Sequence, residues 1–318
     1  MQFEQNYPLS NVTTLKIGGP AKKFVTIHSK EELTAAIQYA KRDGIDYLVI
    51  GGGSNLLVSD EGVDKLIIKN EIVDITTSKE SGPTFEVRTK SGTVLQDLVD
   101  YTIQHGLSGL HKLTGIAGTV GGAVYGNAGA YGQTISDNIL SVVVLSEHSE
   151  SKDLIINLSK DECHFDYRDS IFKQSKDTII EVTFQLESGS SAEELQKEAD
   201  DVLSKRLIKY PPGIKCPGSF FKNIVADTLP KNILSKIPQE KITYGKISAG
   251  YLLEAVGAQG QRLDGIEIAD YHANLFVNKG GGTAKDFYTL AKEYADKVKQ
   301  KFGITLEPEV QLINLPPM

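Results

Sequence analysis

Two clusters of glycine constrain what this chain can fold into more than any other feature. The first, Gly51–Gly53, directly follows an apolar run at Tyr47–Ile50. The second runs from Gly115 to Gly132 and holds seven glycines in 18 residues. Glycine lets backbone N–H groups approach an anion closely, in the alternating conformations of an anion-binding nest. The first cluster therefore suits a diphosphate. The second is too long for one turn and suits backbone wrapped along a large flat ligand.

Tight turns alone explain either cluster about as well as ligand binding does. The polar side chains that accompany both clusters shift the balance, because they add hydrogen-bonding atoms to the exposed backbone. They are Ser54, Asn55, Thr119 and Asn127. The combination favours a cofactor site.

Several common nucleotide-binding and catalytic signatures are missing from the sequence. No G-x-G-x-x-G or G-x-x-x-x-G-K-[ST] motif occurs, which excludes the usual Rossmann fingerprint and the P-loop. The six histidines are scattered without the spacing of zinc ligands, so we expect no metal site. Ser219 lies in the sequence PGSFF, which is unlike the G-x-S-x-G nucleophile elbow.

The alternation of helix and strand patterns predicts an α+β protein in two or three lobes. Ser29 and Glu32 form a capping box at the start of a helix that Gly44 ends. A second helix is predicted from Thr93 to Gly106, with Gln96 in the reciprocal capping position. The length of 318 residues is typical of two domains.

The chain carries a net charge of −7, which gives no general attraction to nucleic acid or to an anionic membrane. The exception is the basic segment, Val202–Ala226, in which there is no acidic residue. Its five basic residues are Lys205, Arg206, Lys209, Lys215 and Lys222. A solvated helix end is one explanation of this segment. We favour the other, a pocket around Ser219 for a substrate that carries phosphate or carboxylate.

The two cysteines, Cys163 and Cys216, are far apart in the sequence and suit a reducing cytosol better than a disulfide framework. The first ten residues lack a secretion signal, and no apolar run approaches the length of about 18 residues typical of a membrane span. We therefore expect a cytoplasmic protein, and we expect it to be a monomer.

Arg168 is a candidate ligand for a carboxylate, because its forked guanidinium can bind both carboxylate oxygens. An ion pair with Asp166 or Asp169 is equally consistent with the spacing. The spacing alone leaves these two interpretations open.

A strand is predicted at the end of the chain, over Thr305–Ile313. Glu307 and Glu309 are two residues apart in it and would share one face. Exposed carboxylates of this kind are usually solvated, so the spacing by itself predicts no catalytic role. Up to this point the residues indicate an enzyme that uses a cofactor and acts on an anionic substrate.

Six motifs, taken in their order along the chain, resemble those of one family. They are Asn11–Ala21, Gly51–Val58, Gly115–Gly132, YRDSIF at Tyr167, GSFFKN at Gly218 and HANLFVN at His272. Together they closely resemble the UDP-N-acetylenolpyruvoylglucosamine reductases. Each motif alone is weak, but the combination spans nearly the whole chain and is highly specific.

The resemblance implies a two-lobed FAD-binding region of the vanillyl-alcohol-oxidase type plus a C-terminal α/β substrate-binding domain. The first would cover residues 1–187, with lobes of about 1–70 and 71–187. The second would cover residues 188–318, with a last strand at 305–318 that could pack back on the first lobe. The residues implied to bind FAD are Gly51, Gly52, Gly53, Ser54 and Asn55 for the diphosphate, Gly115, Ile116, Gly118, Thr119, Gly121, Gly122, Ala123, Asn127 and Gly129 for the remainder, and also Leu56.

The family's reaction has two halves. NADPH reduces the flavin and leaves, and the enolpyruvyl ether of a UDP-sugar then takes hydride onto its methylene carbon. By similarity, Arg168 and a protonated Glu309 stabilise the enolate-like charge, and Ser219 donates a proton to the adjacent carbon. The positive charge of Lys222 would assist the serine. The residues implied to hold the substrate are Tyr167, Arg206, Lys215, Lys222 and Asn223.

The chain departs from the family's usual pattern at the edges of the substrate pocket. Gln311 stands where an arginine is common, Gly126 where a larger residue is common, and Ala117 and Ile224 where proline is frequent. The region before Ser219 has the length of the family's shorter form, which lacks an inserted loop whose tyrosine covers the substrate. Two alternatives are an oxidase on the same flavin fold and a nucleotide-sugar binding protein without flavin.

Overall fold

The computed structural model describes residues 2–80, 82–146 and 155–318. The chain divides into two compact units, and neither is continuous in sequence. Unit 1 comprises the residues up to Asn6, Lys22–Gly52 and Asp64–Ile208. Unit 2 comprises Tyr7–Ala21, Gly53–Val63 and Lys209–Met318.

The regular elements are numbered in chain order. The strands are β1 (Glu4–Pro8), β2 (Pro20–Ile27), β3 (Tyr47–Ile50), β4 (Leu56–Val58), β5 (Val63–Asn70), β6 (Ile75–Lys79), β7 (Thr84–Lys90), β8 (Leu107–Ser108), β9 (Gly129–Ala130), β10 (Gln133–Thr134), β11 (Ile139–Leu145), β12 (Ile155–Ser159), β13 (Thr178–Ser188), β14 (Ile224–Val225), β15 (Ile242–Thr243), β16 (Lys246–Ile247), β17 (Arg262–Leu263), β18 (Ile266–Ile268), β19 (Phe276–Asn278) and β20 (Gln311–Ile313). The α-helices are α1 (Lys30–Arg42), α2 (Leu95–Gln104), α3 (Val120–Tyr125), α4 (Phe172–Ser175), α5 (Ala192–Lys209), α6 (Lys231–Leu234), α7 (Ala249–Glu254) and α8 (Ala284–Phe302). Short 3-10 helices occur at Leu9–Asn11, His111–Leu113, Ile135–Asn138, Asp161–Cys163, Ala226–Thr228 and Gln239–Lys241.

A four-stranded sheet in the order β1-β2-β5-β3 forms with α1 the first part of unit 1. The predicted ends of α1 are confirmed, since the Ser29 side chain accepts a hydrogen bond from Glu32 N and Gly44 follows the helix at a φ of 63°. Strand β3 pairs in parallel with β5 and leads directly into the first glycine cluster. The buried face of α1 and both strands share one apolar core.

An antiparallel sheet in the order β12-β11-β13-β7-β6, with β8 paired to β13, forms the second part of unit 1. Helices α2 and α3 contribute apolar residues to the core beside it. The prediction that Gln96 caps α2 is wrong: the helix begins at Leu95, and no side-chain hydrogen bond caps it at Val94. The Gln96 side chain instead accepts a hydrogen bond from Gly115 N at 2.7 Å, at the start of the second glycine cluster.

Unit 2 contains small sheets in the orders β14-β16-β15 and β17-β18-β19, and a parallel pair of β4 with β20. Its core is centred on phenylalanine side chains. Phe220, Phe276 and Phe287 are fully buried, and their ring centroids are 5.0–5.5 Å apart. These rings connect helix α8, strand β19 and the segment that follows Ser219.

The strand predicted over Thr305–Ile313 is shorter than expected, because only β20 at Gln311–Ile313 is regular. Residues before it pair with other segments: Lys222 N donates to Glu307 O at 2.9 Å, and Glu309 N donates to Phe220 O at 2.7 Å. The first part of the predicted strand is therefore backbone that pairs with the irregular segment around Phe220.

Across the three described ranges, none of the helices has both the length and the apolar composition needed to cross a bilayer.

Replacing Phe287 by Ala should destabilise the protein strongly, because the ring lies between two other buried rings. We expect a loss of about 3–5 kcal/mol in the free energy of unfolding, measured by urea denaturation. Tyr244→Ala is the control, since that side chain is 88% exposed, and it should change stability by less than about 0.5 kcal/mol. Equal effects of the two substitutions would contradict this description of the core.

Stability should fall in mild acid because of His272. Burial, and to a smaller extent the charge of Lys209, lowers the pKa of His272 from 6.5 to about 4. The unfolded chain takes up this proton near pH 6.5 and the folded chain only near pH 4, so the unfolded state binds more protons between these values. The contribution of neutral His272 to the free energy of unfolding is complete above pH 6.5 and decreases by up to about 3 kcal/mol as the pH falls to 4.

Urea titrations at several pH values check this expectation. The variant His272→Gln should flatten the profile between pH 6.5 and 4, whereas the variant of an exposed histidine, His28→Gln, should keep the wild-type slope. An unchanged slope in His272→Gln would show that other groups cause the loss.

Candidate active site

The first glycine cluster lies close to the backbone that precedes helix α3. A Cβ on Gly51 would lie 2.2 Å from Thr119 Oγ1, and a Cβ on Gly52 would lie 3.1 Å from Gly118 Cα. Thr119 is itself the N-cap of α3 and accepts a hydrogen bond from Gly122 N. Glycine is therefore required here for the close approach of two chain segments, within unit 1.

The next residues of this cluster belong to unit 2. Gly53 has a φ of 63°, and a Cβ there would lie 1.9 Å from Val12 O. Asn55 Nδ2 donates to Glu309 O at 3.1 Å, and Gln311 N donates to Asn55 O at 2.9 Å. The loop is thus connected to the end of the chain, which places predicted cofactor residues beside a predicted catalytic one. Ser54 and Leu56, also predicted to bind the cofactor, flank Asn55 and are partly buried.

The second glycine cluster is held by backbone hydrogen bonds within unit 1. Leu95 N donates to Gly118 O, and Gly121 N donates to Ser91 O at 2.8 Å. A Cβ on Gly121 would lie 2.8 Å from the Cβ of Ser91, so this glycine also serves close packing. The other predicted members lie in the same stretch: Gly115 near Leu203 and Arg206, Ile116 and Ala123 against the apolar core, Gly122 in the first turn of α3, and Gly129 in β9.

Asn127 has the property expected of a ligand-binding residue. Its side chain is buried and Nδ2 donates to Asp166 O at 2.9 Å, but Oδ1 has no hydrogen-bond partner among the described residues. An unsatisfied buried acceptor is costly unless another group occupies the site. The glycine backbone and this acceptor together fit a bound cofactor with N–H or O–H groups.

Arg168 lies beside the same stretch. Its backbone is left-handed, with a φ of 54°, and Nη2 donates to Gly129 O at 2.7 Å. Its guanidinium also lies over the ring of Tyr167 at 5.5 Å. These contacts hold the guanidinium next to predicted cofactor residues. The sequence had suggested either a carboxylate ligand or an ion pair with Asp166 or Asp169, and neither suggestion included this arrangement.

Ser219 follows a bend at Gly218, whose φ of 87° favours glycine. Its Oγ lies 2.9 Å from the hydroxyl oxygen of Tyr210. The main chain of Ser219 is bridged to Leu275, and Phe221 exchanges two hydrogen bonds with the buried side chain of Asn274, at 2.8 and 2.9 Å. The serine is therefore held on a rigid segment.

Glu309 comes close to this segment although 90 positions separate it from Ser219 in the sequence. The hydrogen bond from Glu309 N to Phe220 O, at 2.7 Å, joins the two main chains immediately after Ser219. The bridge between Phe221 and Pro308 continues the same pairing. Two of the three predicted catalytic residues thus lie on neighbouring backbone segments of unit 2.

The basic segment is less uniformly positive in the structure than in the sequence. Lys222 Nζ lies 3.4 Å from the carboxylate of Glu307, so part of its charge is balanced. Arg206 donates to Gly115 O at 3.1 Å, in unit 1. Asn223 Oδ1 accepts a hydrogen bond from Ala249 N at the start of α7.

Lys215, the remaining predicted substrate residue, is exposed, and its carbonyl accepts a hydrogen bond from Asn278 N. Two residues that hold the Ser219 segment have no role predicted from the sequence, although one lies in the basic segment and the other in the HANLFVN motif, because their contacts are visible only in the structure. They are Tyr210, which touches the hydroxyl of Ser219, and Asn274, which holds Phe221.

Cys163 and Cys216 are both free and buried. Burial raises the pKa of the Cys163 thiol to about 12, which makes it unreactive at neutral pH. Within the part of the chain that the structure describes, there is no group of three or more histidine, cysteine, aspartate or glutamate residues that could hold a metal ion.

Two family profiles match the chain. The C-terminal domain of UDP-N-acetylenolpyruvoylglucosamine reductase matches residues 211–313, and an FAD binding domain matches residues 21–153. The predicted cofactor, FAD, and the predicted enzyme class, an FAD-containing oxidoreductase, are confirmed.

Relatives match over almost the whole length. The chain is 41% identical to a UDP-N-acetylenolpyruvoylglucosamine reductase from Solibacter usitatus, over 96% of this chain and 95% of that protein. It is 34% identical to one from Carboxydothermus hydrogenoformans, over 98% of this chain and 93% of that protein.

A solved structure matches as well. The crystal structure of UDP-N-acetylenolpyruvylglucosamine reductase from Thermus caldophilus has a TM-score of 0.74 and 29% identity, and the match covers 98% of this chain and 99% of that one. The predicted α+β fold, with its FAD-binding region and C-terminal domain, is confirmed. With this fold, and with 41% identity over 96% of its length, the chain belongs to the family of UDP-N-acetylenolpyruvoylglucosamine reductases.

Proposed function

We propose that this protein reduces the enolpyruvyl ether of UDP-N-acetylglucosamine enolpyruvate to UDP-N-acetylmuramate, a precursor of peptidoglycan, at the expense of NADPH. The observation that carries the proposal is the pairing of the Ser219 and Glu309 segments through the bond between Glu309 N and Phe220 O. It supports a proton donor and a charge-stabilising carboxyl group acting at one site. The activity would serve cell-wall synthesis, and through it cell shape and division.

We assign FAD to the two glycine clusters, where it would supply two-electron chemistry by passing hydride from NADPH to the substrate. The backbone from Gly51 to Asn55 would hold the diphosphate, because glycine N–H groups can approach an anion there, and Leu56 would also contact the cofactor. The stretch from Gly115 to Gly129 would hold the remainder, and the unpartnered Oδ1 of Asn127 would accept a hydrogen bond from it. Residues 1–187 would form the FAD-binding region and residues 188–318 the substrate-binding domain.

Three side chains of this protein would perform the chemistry on the substrate. Hydride addition at the methylene carbon moves negative charge into the neighbouring carboxylate. Arg168, and Glu309 in its protonated form, would stabilise that charge as fixed donors. Ser219 would then donate its hydroxyl proton to the adjacent carbon as the general acid.

Side chains of the basic segment would bind the UDP-sugar, because phosphates attract fixed cations. Arg206, Lys215 and Lys222 would contact phosphate or sugar oxygens, together with Tyr167 and Asn223. The ion pair of Lys222 with the exposed Glu307 leaves ammonium protons for a ligand. We further propose a cytoplasmic monomer, and the two free cysteines are consistent with a reducing compartment.

Binding of FAD should be sensitive to a methyl group at Gly51. In Gly51→Ala the new Cβ displaces Thr119 Oγ1, which lies 2.2 Å away, and breaks the cap of α3. A lost cap costs about 1 kcal/mol, so we expect FAD to bind about fivefold more weakly. The ratio of flavin to protein absorbance after dialysis, and a fluorescence titration with FAD, measure this.

The control for this experiment is Gly126→Ala in the second cluster. A Cβ at Gly126 would meet only Gly122 O, at an ordinary contact distance of 3.6 Å. This variant should retain FAD as the wild type does. Full retention of FAD by Gly51→Ala would argue against the diphosphate site.

The role of Ser219 can be tested by separating the two half reactions. Under anaerobic conditions, Ser219→Ala should be reduced by NADPH at the wild-type rate, because the serine acts only on the second substrate. Reoxidation by the enolpyruvyl UDP-sugar should slow by about 10²–10⁴-fold, the usual contribution of a general acid. Stopped-flow absorbance of the flavin follows both steps.

Ser235→Ala is the matched control, since Ser235 is exposed and its hydroxyl donates to Asn232 O. It should leave both half reactions unchanged. Equal losses in both halves for Ser219→Ala would contradict the general-acid role.

The same assay distinguishes the alternatives. Reoxidation of the reduced wild-type flavin by oxygen alone, and not by the enolpyruvyl sugar, would favour an oxidase. A colourless protein that binds the UDP-sugar but not FAD would indicate a binding protein.

A further inference from the structure

The tyrosine beside the proposed proton donor has no assigned part in the reaction. Tyr210 and Ser219 are nine positions apart, and their hydroxyl oxygens are 2.9 Å apart. This distance is that of an ordinary O–H···O hydrogen bond. Both side chains are partly buried, so competition from bulk water at this bond is reduced.

The position of Tyr210 is well determined by its surroundings in unit 2. The residue directly follows helix α5 and precedes Pro211 and Pro212, whose rings restrict the backbone. Its ring packs against a small apolar cluster that includes Cys216 and Leu275. The main chain of Leu275 is bridged to Ser219. One local cluster thus fixes both hydroxyl groups.

Proton donation by a serine poses a chemical difficulty that this contact addresses. An aliphatic hydroxyl is a far weaker acid than a phenol, whose pKa is about 10. When serine gives up its proton, negative charge develops on Oγ, and a positioned donor must stabilise it. The cation expected to assist, Lys222, is paired with Glu307 at 3.4 Å. The group seen at Ser219 Oγ is the phenol of Tyr210.

We infer that Tyr210 is a positioning residue that supports Ser219 as the acid and restores its proton, an inference that rests on the proposed function. In the step, the O–H bond of Ser219 breaks as a C–H bond forms on the substrate. In the same step the O–H bond of Tyr210 breaks as a new O–H bond forms at Ser219 Oγ. A proton from solvent water returns to the phenolate and closes the cycle, with no net change in either residue.

The test is the substitution Tyr210→Phe, which removes one hydroxyl and keeps the ring in its apolar cluster. Reduction of the flavin by NADPH should be unchanged. The limiting rate of reoxidation by the enolpyruvyl UDP-sugar should fall about a hundredfold, as for loss of one donor to a developing oxyanion. The substrate concentration at half saturation should change by less than about threefold, because the phenol acts on the proton donor and not on substrate binding.

The matched control is Tyr271→Phe. The Tyr271 hydroxyl donates to Lys209 O at 3.3 Å, in the residue next to Tyr210. This variant also loses a tyrosine hydroxyl that contacts the same chain segment, but not one that contacts Ser219. Both half reactions should proceed at the wild-type rate. A loss in Tyr271→Phe equal to that in Tyr210→Phe would indicate a general disturbance of the segment and would overturn the inference.

A double variant separates this relay from an independent structural role. In Ser219→Ala the acceptor of the relay is gone, so adding Tyr210→Phe should slow reoxidation no further. If the two losses multiply, Tyr210 acts without Ser219 and the inference is wrong. The solvent deuterium isotope effect on reoxidation should decrease in Tyr210→Phe, because one moving proton is removed.

Failure of the inference and failure of the proposed function are distinguishable. A normal reoxidation rate in Ser219→Ala would reject the serine as the acid and with it the proposed mechanism. A slow Ser219→Ala together with a normal Tyr210→Phe would reject only the part given to the tyrosine.

Discussion

The parallel pairing of β4 with β20 is the constraint on which the candidate site in unit 2 depends. Three residue pairs join these strands, and Leu57 on β4 is completely buried in the phenylalanine core. The side chain of Asn55 extends the pairing by its bond to Glu309 O, across 254 positions of sequence. Because this bond fixes the backbone of Glu309, the next bond, from Glu309 N to Phe220 O, can hold the serine segment in place. A few hydrogen bonds thus determine that the backbone segments carrying Ser219 and Glu309 lie side by side.

Glycine has two separate functions in these loops. At Gly51 and Gly121 it permits two backbone segments to lie closer than any Cβ allows. At Gly53 and Gly218 it permits a left-handed conformation at the point where the chain must turn. Both functions exist without a ligand, so a glycine count alone does not identify a cofactor. The buried, unpartnered Oδ1 of Asn127 is the more direct sign, since packing alone gives no reason for an unsatisfied acceptor.

The sequence predicted correctly the helix ends that depend only on contacts between residues close together in the chain. The Ser29 cap and the left-handed Gly44 end helix α1 as expected, because capping involves only neighbours in sequence. The capping role predicted for Gln96 was wrong because its side-chain oxygen accepts a hydrogen bond from Gly115 N, 19 positions away. The strand over Thr305–Ile313 was predicted too long, since its first part pairs with the irregular segment around Phe220, about 90 positions away in the sequence. The resemblance supplied the family, whereas the contact of Tyr210 with Ser219 required coordinates.

The discontinuity of unit 2 has a consequence for synthesis on the ribosome. Leu15, Ile17 and Leu57 belong to the same core as Phe220 and Phe276, but they lie in segments that emerge long before Lys209–Met318. At about 5–20 residues per second, translation of the chain between these parts takes on the order of 10 s. Over that interval these apolar side chains have no core to enter. The nascent chain is therefore most exposed to aggregation and to chaperone binding at its N-terminal segments, and unit 2 can form only after the last strand has left the exit tunnel.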